Sequence, residues 1–176
     1  MQEALCDDQT RHHGVEASLS SSRPAHDLVG AVAALDAAER QQRPVDMAMA
    51  LLRVGRCLRA QGDFAAAEWY LQRGLAWSRT LASLDLCIET LCELASACSA
   101  QALVQQSADA HAAYGSRERA RDHAFEAASL AERRDDARCE AAVLSCVCDV
   151  LERCGDFEDR DTLRLRRASL LACARA

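Results

Sequence analysis

Three features of the chain predict an all-α fold. Half of its 176 residues are apolar, chiefly Ala and Leu; there is a single Ile, Ile88, and aromatics make up only 4%. Ala and Leu favour helices, and the β-branched and aromatic residues that favour strands are scarce. Leu and Val recur three or four residues apart over long stretches, and both prolines, Pro24 and Pro44, precede the main ones.

Residues 1–24 carry Asp7-Asp8, His12-His13 and a serine run ending at Ser22. Such a stretch has too little apolar surface to build a core, so a loosely attached tail is expected, with the histidine pair solvated. The helical domain is expected over 25–176. Its first helix, at 26–41 within 25–42, places Leu28, Val32 and Leu35 on one stripe with Val29 beside them, and Asp27 as its cap. Pro44 opens the second helix, 45–61, because the first helical turn has no use for an N–H at that point. Leu51, Leu52, Val54 and Leu58 recur there at helical spacing. Gly62-Asp63 ends this helix and begins the third, 64–80, whose inward face carries Phe64, Ala67, Leu71, Gly74 and Leu75. The fourth, 84–100, turns Ile88, Leu91, Leu94, Ala95 and Cys98 inward. An insertion near 100–115 either lengthens it or forms a small helix of its own, and Gly115-Ser116 resets the chain. Helices at 116–134, 136–154 and 157–173 complete the set. Trp69 and Trp77, on similar faces of the third helix, are expected in the core or against the first helix.

A net charge of −6 argues against nucleic-acid binding, which needs a basic face to displace counterions. No run of ~18 apolar residues marks a membrane span. The opening MQEALCDDQTRHHG has acids and histidines where a secretory peptide needs an apolar core, so a cytoplasmic location is expected. The basic residues are all Arg, since Lys is absent, as is Asn.

The ten cysteines contain no CxxC pair and so no frame for a structural zinc. They read as reduced, buried thiols acting as small hydrophobes. Cys146 and Cys148 are close in sequence but point in different directions on a helix. His12, His13, His26, His111 and His123 show no metal spacing, and no Gly-rich phosphate loop or HExxH is present. No metal, cofactor or catalytic residue is expected.

LLRVGRCLRAQGDF (51–64) recurs as LSCVCDVLERCGDF (144–157). Leu51, Val54, Leu58, Gly62, Asp63 and Phe64 match Leu144, Val147, Leu151, Gly155, Asp156 and Phe157. LCELASAC (91–98) repeats the first-helix pattern without the Gly-Asp turn, and Ala120, Ala124 and Ala127 echo Ala67, Leu71 and Gly74. In the first unit, Leu51, Gly55, Leu58, Gly62, Phe64, Ala67, Leu71 and Gly74 stand in the order and spacing of a tetratricopeptide repeat, and the chain resembles that family over 45–173. The units are 45–81, 84–134 with the insertion, and 136–174. The second lacks the turn glycine, and the third carries Arg160 and Arg164 where small and apolar residues belong. The spacing between first-helix copies exceeds the usual repeat of about 34 residues.

The resemblance implies antiparallel helical hairpins stacked into a short right-handed solenoid, with the first helices lining a concave groove. Transferred by helical phase, that groove shows Met49, Leu52, Arg56 and Arg59 from the first unit. It shows Glu89, Cys92, Glu93, Ser96 and Ser99 from the second, and Ser145, Asp149 and Glu152 from the third. A basic end beside an acidic middle suits a peptide or protein segment of mixed charge. The implied function is a non-catalytic binding scaffold or adaptor. The alternative is a small secretion-type chaperone such as bacteria make with similar repeats, although those keep the shorter period. Arg164, Arg166 and Arg167 read as a solvated basic face near a helix C-terminus. Self-association through the last hairpin is a further alternative.

Overall fold

The computed structural model describes residues 23–174, and the tail expected over 1–24 lies almost wholly outside them. The described residues form seven helices and no strand: α1 (Arg23–Gln41), α2 (Pro44–Ala60), α3 (Phe64–Thr80), α4 (Leu84–Gln105), α5 (Ala110–Arg133), α6 (Ala137–Cys154) and α7 (Phe157–Cys173). The all-α expectation holds. Each helix packs on its neighbours in the chain, and α4 also packs on α2 and on α6.

Five of the six links between these helices share one construction. A residue with positive φ follows the helix end, and the next helix starts two residues later. The positive-φ residues are Gln42, Gly62, Ala82, Asp135 and Gly155. The following N–H reaches back to a carbonyl in the last turn: Arg43 to Ala38, Asp63 to Leu58, Ser83 to Ser78 and Asp156 to Leu151, all at 2.9–3.1 Å. This is the Schellman closure, which satisfies carbonyls that a helix end leaves free. Asp63 then accepts from the Ala66 N–H and Asp136 from those of Arg138 and Cys139, capping α3 and α6. At Gln42, Ala82 and Asp135 the same geometry is held without glycine.

The insertion forms no element of its own. Its first part extends α4 to Gln105, and its last part is the start of α5, capped by Asp109 through the His111 and Ala112 N–H groups. Gly115 therefore does not reset the chain; it lies inside α5. Asp27 likewise lies inside α1 and does not cap it.

The core is built largely from small residues. Gly55 on α2 meets Leu71 on α3, and Gly74 meets Leu51. Ala120, Ala124, Ala127 and Ala131 on α5 are fully buried, which lets α5 lie close to α4 and α6. On α1 the buried face is Ala31, Leu35 and Ala38; Val32 of the predicted stripe and Val29 beside it are both exposed. Trp77 packs against the core, but Trp69 is exposed, with Arg73 over its ring at 4.8 Å. α4 has the length and apolar composition of a membrane span, but 61% of its most apolar window is buried inside the fold.

α7 differs from the rest in having no fully buried residue. Phe157, the counterpart of Phe64 in the repeated segment, is exposed and lies under Arg160. Ion pairs add to the packing of Leu163 on the core. Arg160 and Arg164 meet Glu152, at 3.6 and 2.8 Å, and Arg166 meets Glu132 and the buried Glu140, at 3.0 and 2.6 Å. Arg167 donates to the Ala141 carbonyl. The arginines that read as a solvated face are thus paired inward.

Candidate ligand cleft

Leu58, Leu91 and Leu94 point into the core, so residues a half-turn away on α2 and α4 face outward together. Arg56 and Arg59 on α2 meet Glu89 and Glu93 on α4 in this way. Arg56 donates to Glu89 at 2.6 Å and to Glu93 at 2.8 Å, and Arg59 donates to the second Glu93 oxygen at 2.9 Å. Burial works against the Arg56 charge, but hydrogen bonds to Glu89 and Glu93 outweigh it and leave the guanidinium pKa raised. The basic end and acidic middle read from the sequence do sit together, and they neutralise each other within the protein.

Beside this cluster opens a cleft of about 350 Å³. Arg56 contributes from α2, and Asp85, Ile88, Glu89, Cys92 and Glu93 from α4. Arg134, at the end of α5, pairs with Asp85 at one edge. Cys139, Ala142, Val143 and Cys146 line the α6 wall. Alternate helices in the chain thus supply one continuous surface with an apolar floor and charged rims.

Other predicted groove residues lie elsewhere. Leu52 is buried in the core. Met49 faces a separate shallow cleft between α1 and α2, near Ala34 and Arg53. Ser99 is buried and its hydroxyl accepts from Arg153 at 2.9 Å. Ser96 lies next to the cleft, with its hydroxyl 3.7 Å from the Cys146 sulfur. Ser145 and Asp149 do not line the cleft, and Glu152 turns toward α7 to meet Arg160 and Arg164. The assumed phase of α6 was off: Cys139, Ala142 and Cys146 face α4, where Ser145, Asp149 and Glu152 were expected. The spacing of Cys139 and Cys146, two helical turns apart, was the available signal.

Six of the nine described cysteines form two contrasting groups. Cys87, Cys98 and Cys148 are buried, as expected of thiols acting as hydrophobes, and burial pushes the Cys98 thiol up to about 12. Cys92, Cys139 and Cys146 instead line the open cleft, half-buried. The Cys146 sulfur lies 3.9 Å from the Cys92 carbonyl oxygen, to which it donates, and the Cys92 thiol is near enough to act on it through a hydrogen bond. That bond from Cys92 is the main influence lowering the Cys146 thiol to about 7; burial opposes it, and the Ser96 hydroxyl assists. The Cys92 proton is held in the same bond, and its thiol is pushed well up.

Comparison of the chain with family models and with curated proteins finds no match.

Proposed function

We propose that the protein is a tetratricopeptide-like binding scaffold whose cleft along α2, α4 and α6 takes a segment of another protein. The observation that carries this reading is the wall itself. Three helices alternating in the chain contribute to one open surface, and the helices between them, α3 and α5, pack on α4 from other directions. Stacked hairpins would give this pattern, since the first helix of each hairpin then neighbours the first helix of the next. Buried Gly55, Ala67, Leu71 and Gly74, with Gly62 at positive φ, stand where a repeat of this kind needs small residues and a tight turn.

The chemistry of the cleft narrows what would fit. Ile88, Ala142 and Val143 offer an apolar floor for one or two apolar side chains. Arg56 and Arg134 are already paired with Glu89, Glu93 and Asp85, so a strongly charged ligand would have to displace internal ion pairs. A weakly charged segment with an apolar anchor is the better match.

The test compares proteins retained from a lysate of the producing cells by the wild type, by Ala142→Arg and by Tyr114→Ser. Ala142 is exposed in the cleft, so arginine there fills it without removing a core contact, whereas Tyr114 is exposed on α5, away from the cleft. Retention lost in Ala142→Arg alone supports the cleft as the binding surface. The same retention by all three proteins sinks it.

A further inference from the structure

We propose that Cys92 and Cys146 form a thiol–disulfide exchange site, which takes a low-molecular-weight disulfide of the glutathione type and closes into a bond joining α4 to α6. The proposal goes beyond the binding reading and stands whether or not the cleft holds a peptide.

Position comes first. The two cysteines lie on different helices, 54 residues apart in sequence, yet the Cys146 sulfur rests 3.9 Å from the Cys92 carbonyl. The Cys146 sulfur thus reaches the backbone of Cys92, and the two residues line the same cleft. Both residues are half-buried and open on the cleft, so a small disulfide can reach them. Cys87, Cys98 and Cys148 are buried, and Cys154 does not line this cleft. Cys139 lines the same cleft, but it is two helical turns from Cys146 along α6, about 10 Å by helix rise, too far to pair with it. Among the described residues no three His, Cys, Asp or Glu side chains converge as a metal would need. The arrangement is a pair.

The pair is also asymmetric. The hydrogen bond from Cys92 favours the thiolate on Cys146 and keeps the proton on Cys92. The Ser96 hydroxyl and the Arg153 charge add to that preference, against burial and Glu93. A thiolate is the nucleophile in exchange, and a pKa near ambient pH suits attack. Cys146 is thus the attacking residue and Cys92 the resolving one.

The steps balance. The Cys146 thiolate attacks one sulfur of RS–SR; the protein–SR bond forms, the S–S bond breaks, and RS⁻ leaves. Cys146 no longer accepts the hydrogen bond, and the departing RS⁻ takes the Cys92 proton to become RSH. The Cys92 thiolate then attacks the Cys146 sulfur, forming the Cys92–Cys146 bond and releasing the second RS⁻. The two protein thiols are oxidised by two electrons, and the small disulfide is reduced to one thiol and one thiolate, which takes from solvent the proton that Cys146 gave up on ionising.

The experiment uses the full chain, fully reduced, with oxidised glutathione as the probe, followed by acid quenching and mass-spectrometric mapping. The expected product is a linked Cys92–Cys146 peptide pair with no glutathione left on either residue. Cys92→Ser is expected to stop with glutathione on Cys146, and Cys146→Ser to lose the crosslink to Cys92. The wild-type map alone overturns the proposal if Cys146 stays reduced while the exposed Cys173 is modified. It is also overturned if glutathione persists on wild-type Cys146, or if Cys92 is found bonded to Cys139.

Discussion

Gly55 and Leu71 touch where α2 crosses α3, and a Cβ placed on Gly55 would come within 2.6 Å of Leu71 Cδ2. Two helices reach this separation because one of them has no side chain at the crossing. Leu71 is fully buried and has no free space to move into. Alanine at position 55 gains about 1 kcal/mol of helix propensity. Overpacking costs about 1–3 kcal/mol, and the backbone on both sides is fixed. Gly55→Ala is therefore expected to lower the unfolding free energy by a net of about 1 kcal/mol, seen as a lower urea midpoint. Leu71→Ala alone is expected to cost about 2–5 kcal/mol through its cavity. The double variant is expected to be more stable than the sum of the two losses allows, because the new methyl enters the space that Leu71 vacates. Strict additivity in denaturant titrations would refute the contact.

Ala82 holds a left-handed backbone, φ 50°, at a link whose counterparts after α2 and α6 are glycine. An L-residue in that region carries a penalty of about 1–2 kcal/mol. Ala82→Gly is expected to raise stability by about 0.5–1 kcal/mol, the remainder being offset by the greater entropy of glycine in the unfolded chain. Gly62→Ala is expected to do the reverse by about 1 kcal/mol. A Cβ at Gly62 meets nothing within 4 Å, so that loss is backbone strain alone. Thermal midpoints of the two variants should move in opposite directions.

Glu93 serves two arginines at once, with its side chain 16% exposed against 41% for Arg56 and 37% for Arg59. Solvent screening of the half-exposed arginines limits each pair to under about 1 kcal/mol. Glu93→Ala is expected to cost about 1–2 kcal/mol at low salt, since it takes the carboxylate from Arg59 and leaves Arg56 with Glu89 alone. The loss should shrink toward high salt, where the Debye length falls to about 3 Å. A loss independent of salt would show that Glu93 acts through packing alone.

His123 on α5 gives the fold a dependence on pH. Burial holds its pKa below the ordinary 6.5; Glu126, Glu68 and Asp122 pull it upward, and Arg79 adds to the lowering. A depressed folded pKa means that the unfolded chain takes the proton first. Stability from this residue is complete above 6.5 and falls as the pH drops below that value, until the folded imidazole also protonates. His123→Gln is expected to flatten the stability profile between about pH 7 and 5. Histidine titration by NMR, folded and in urea, checks the sign directly.

Helix identity was legible because the spacing of Leu51, Val54 and Leu58, or of Leu144, Val147 and Leu151, admits one period. α3 was readable at both ends because Gly62-Asp63 and the Leu81–Ser83 turn flank a continuous pattern. The turns at Gln42 and Asp135 were hidden, since neither residue type announces a left-handed backbone as glycine does. The insertion was misread at Gly115, where a lone glycine inside a long helix looks like a stop signal. The cleft was half legible. Arg56, Arg59, Glu89 and Glu93 emerged from helical phase, but phase alone does not show that opposite charges will pair with each other. On α6 the rotation could not be fixed from a pattern in which Val143, Val147 and Val150 share the helix with four cysteines and three alanines of similar apolarity. Proximity of Cys92 and Cys146 depends on how α4 lies against α6, which no local spacing encodes.

α7 lacks a buried residue and is tied to α5 and α6 by Arg160, Arg164 and Arg166. The free energy needed to detach it therefore has a large electrostatic part beside the packing of Leu163 on the core, while that of α2 through α6 is mostly hydrophobic. These two kinds of adhesion respond differently to the surroundings: raised ionic strength weakens the first and leaves the second intact. The protein thus contains a separately meltable end, whose amides should exchange with solvent at a lower opening cost than those of α4, and at a cost that ions set.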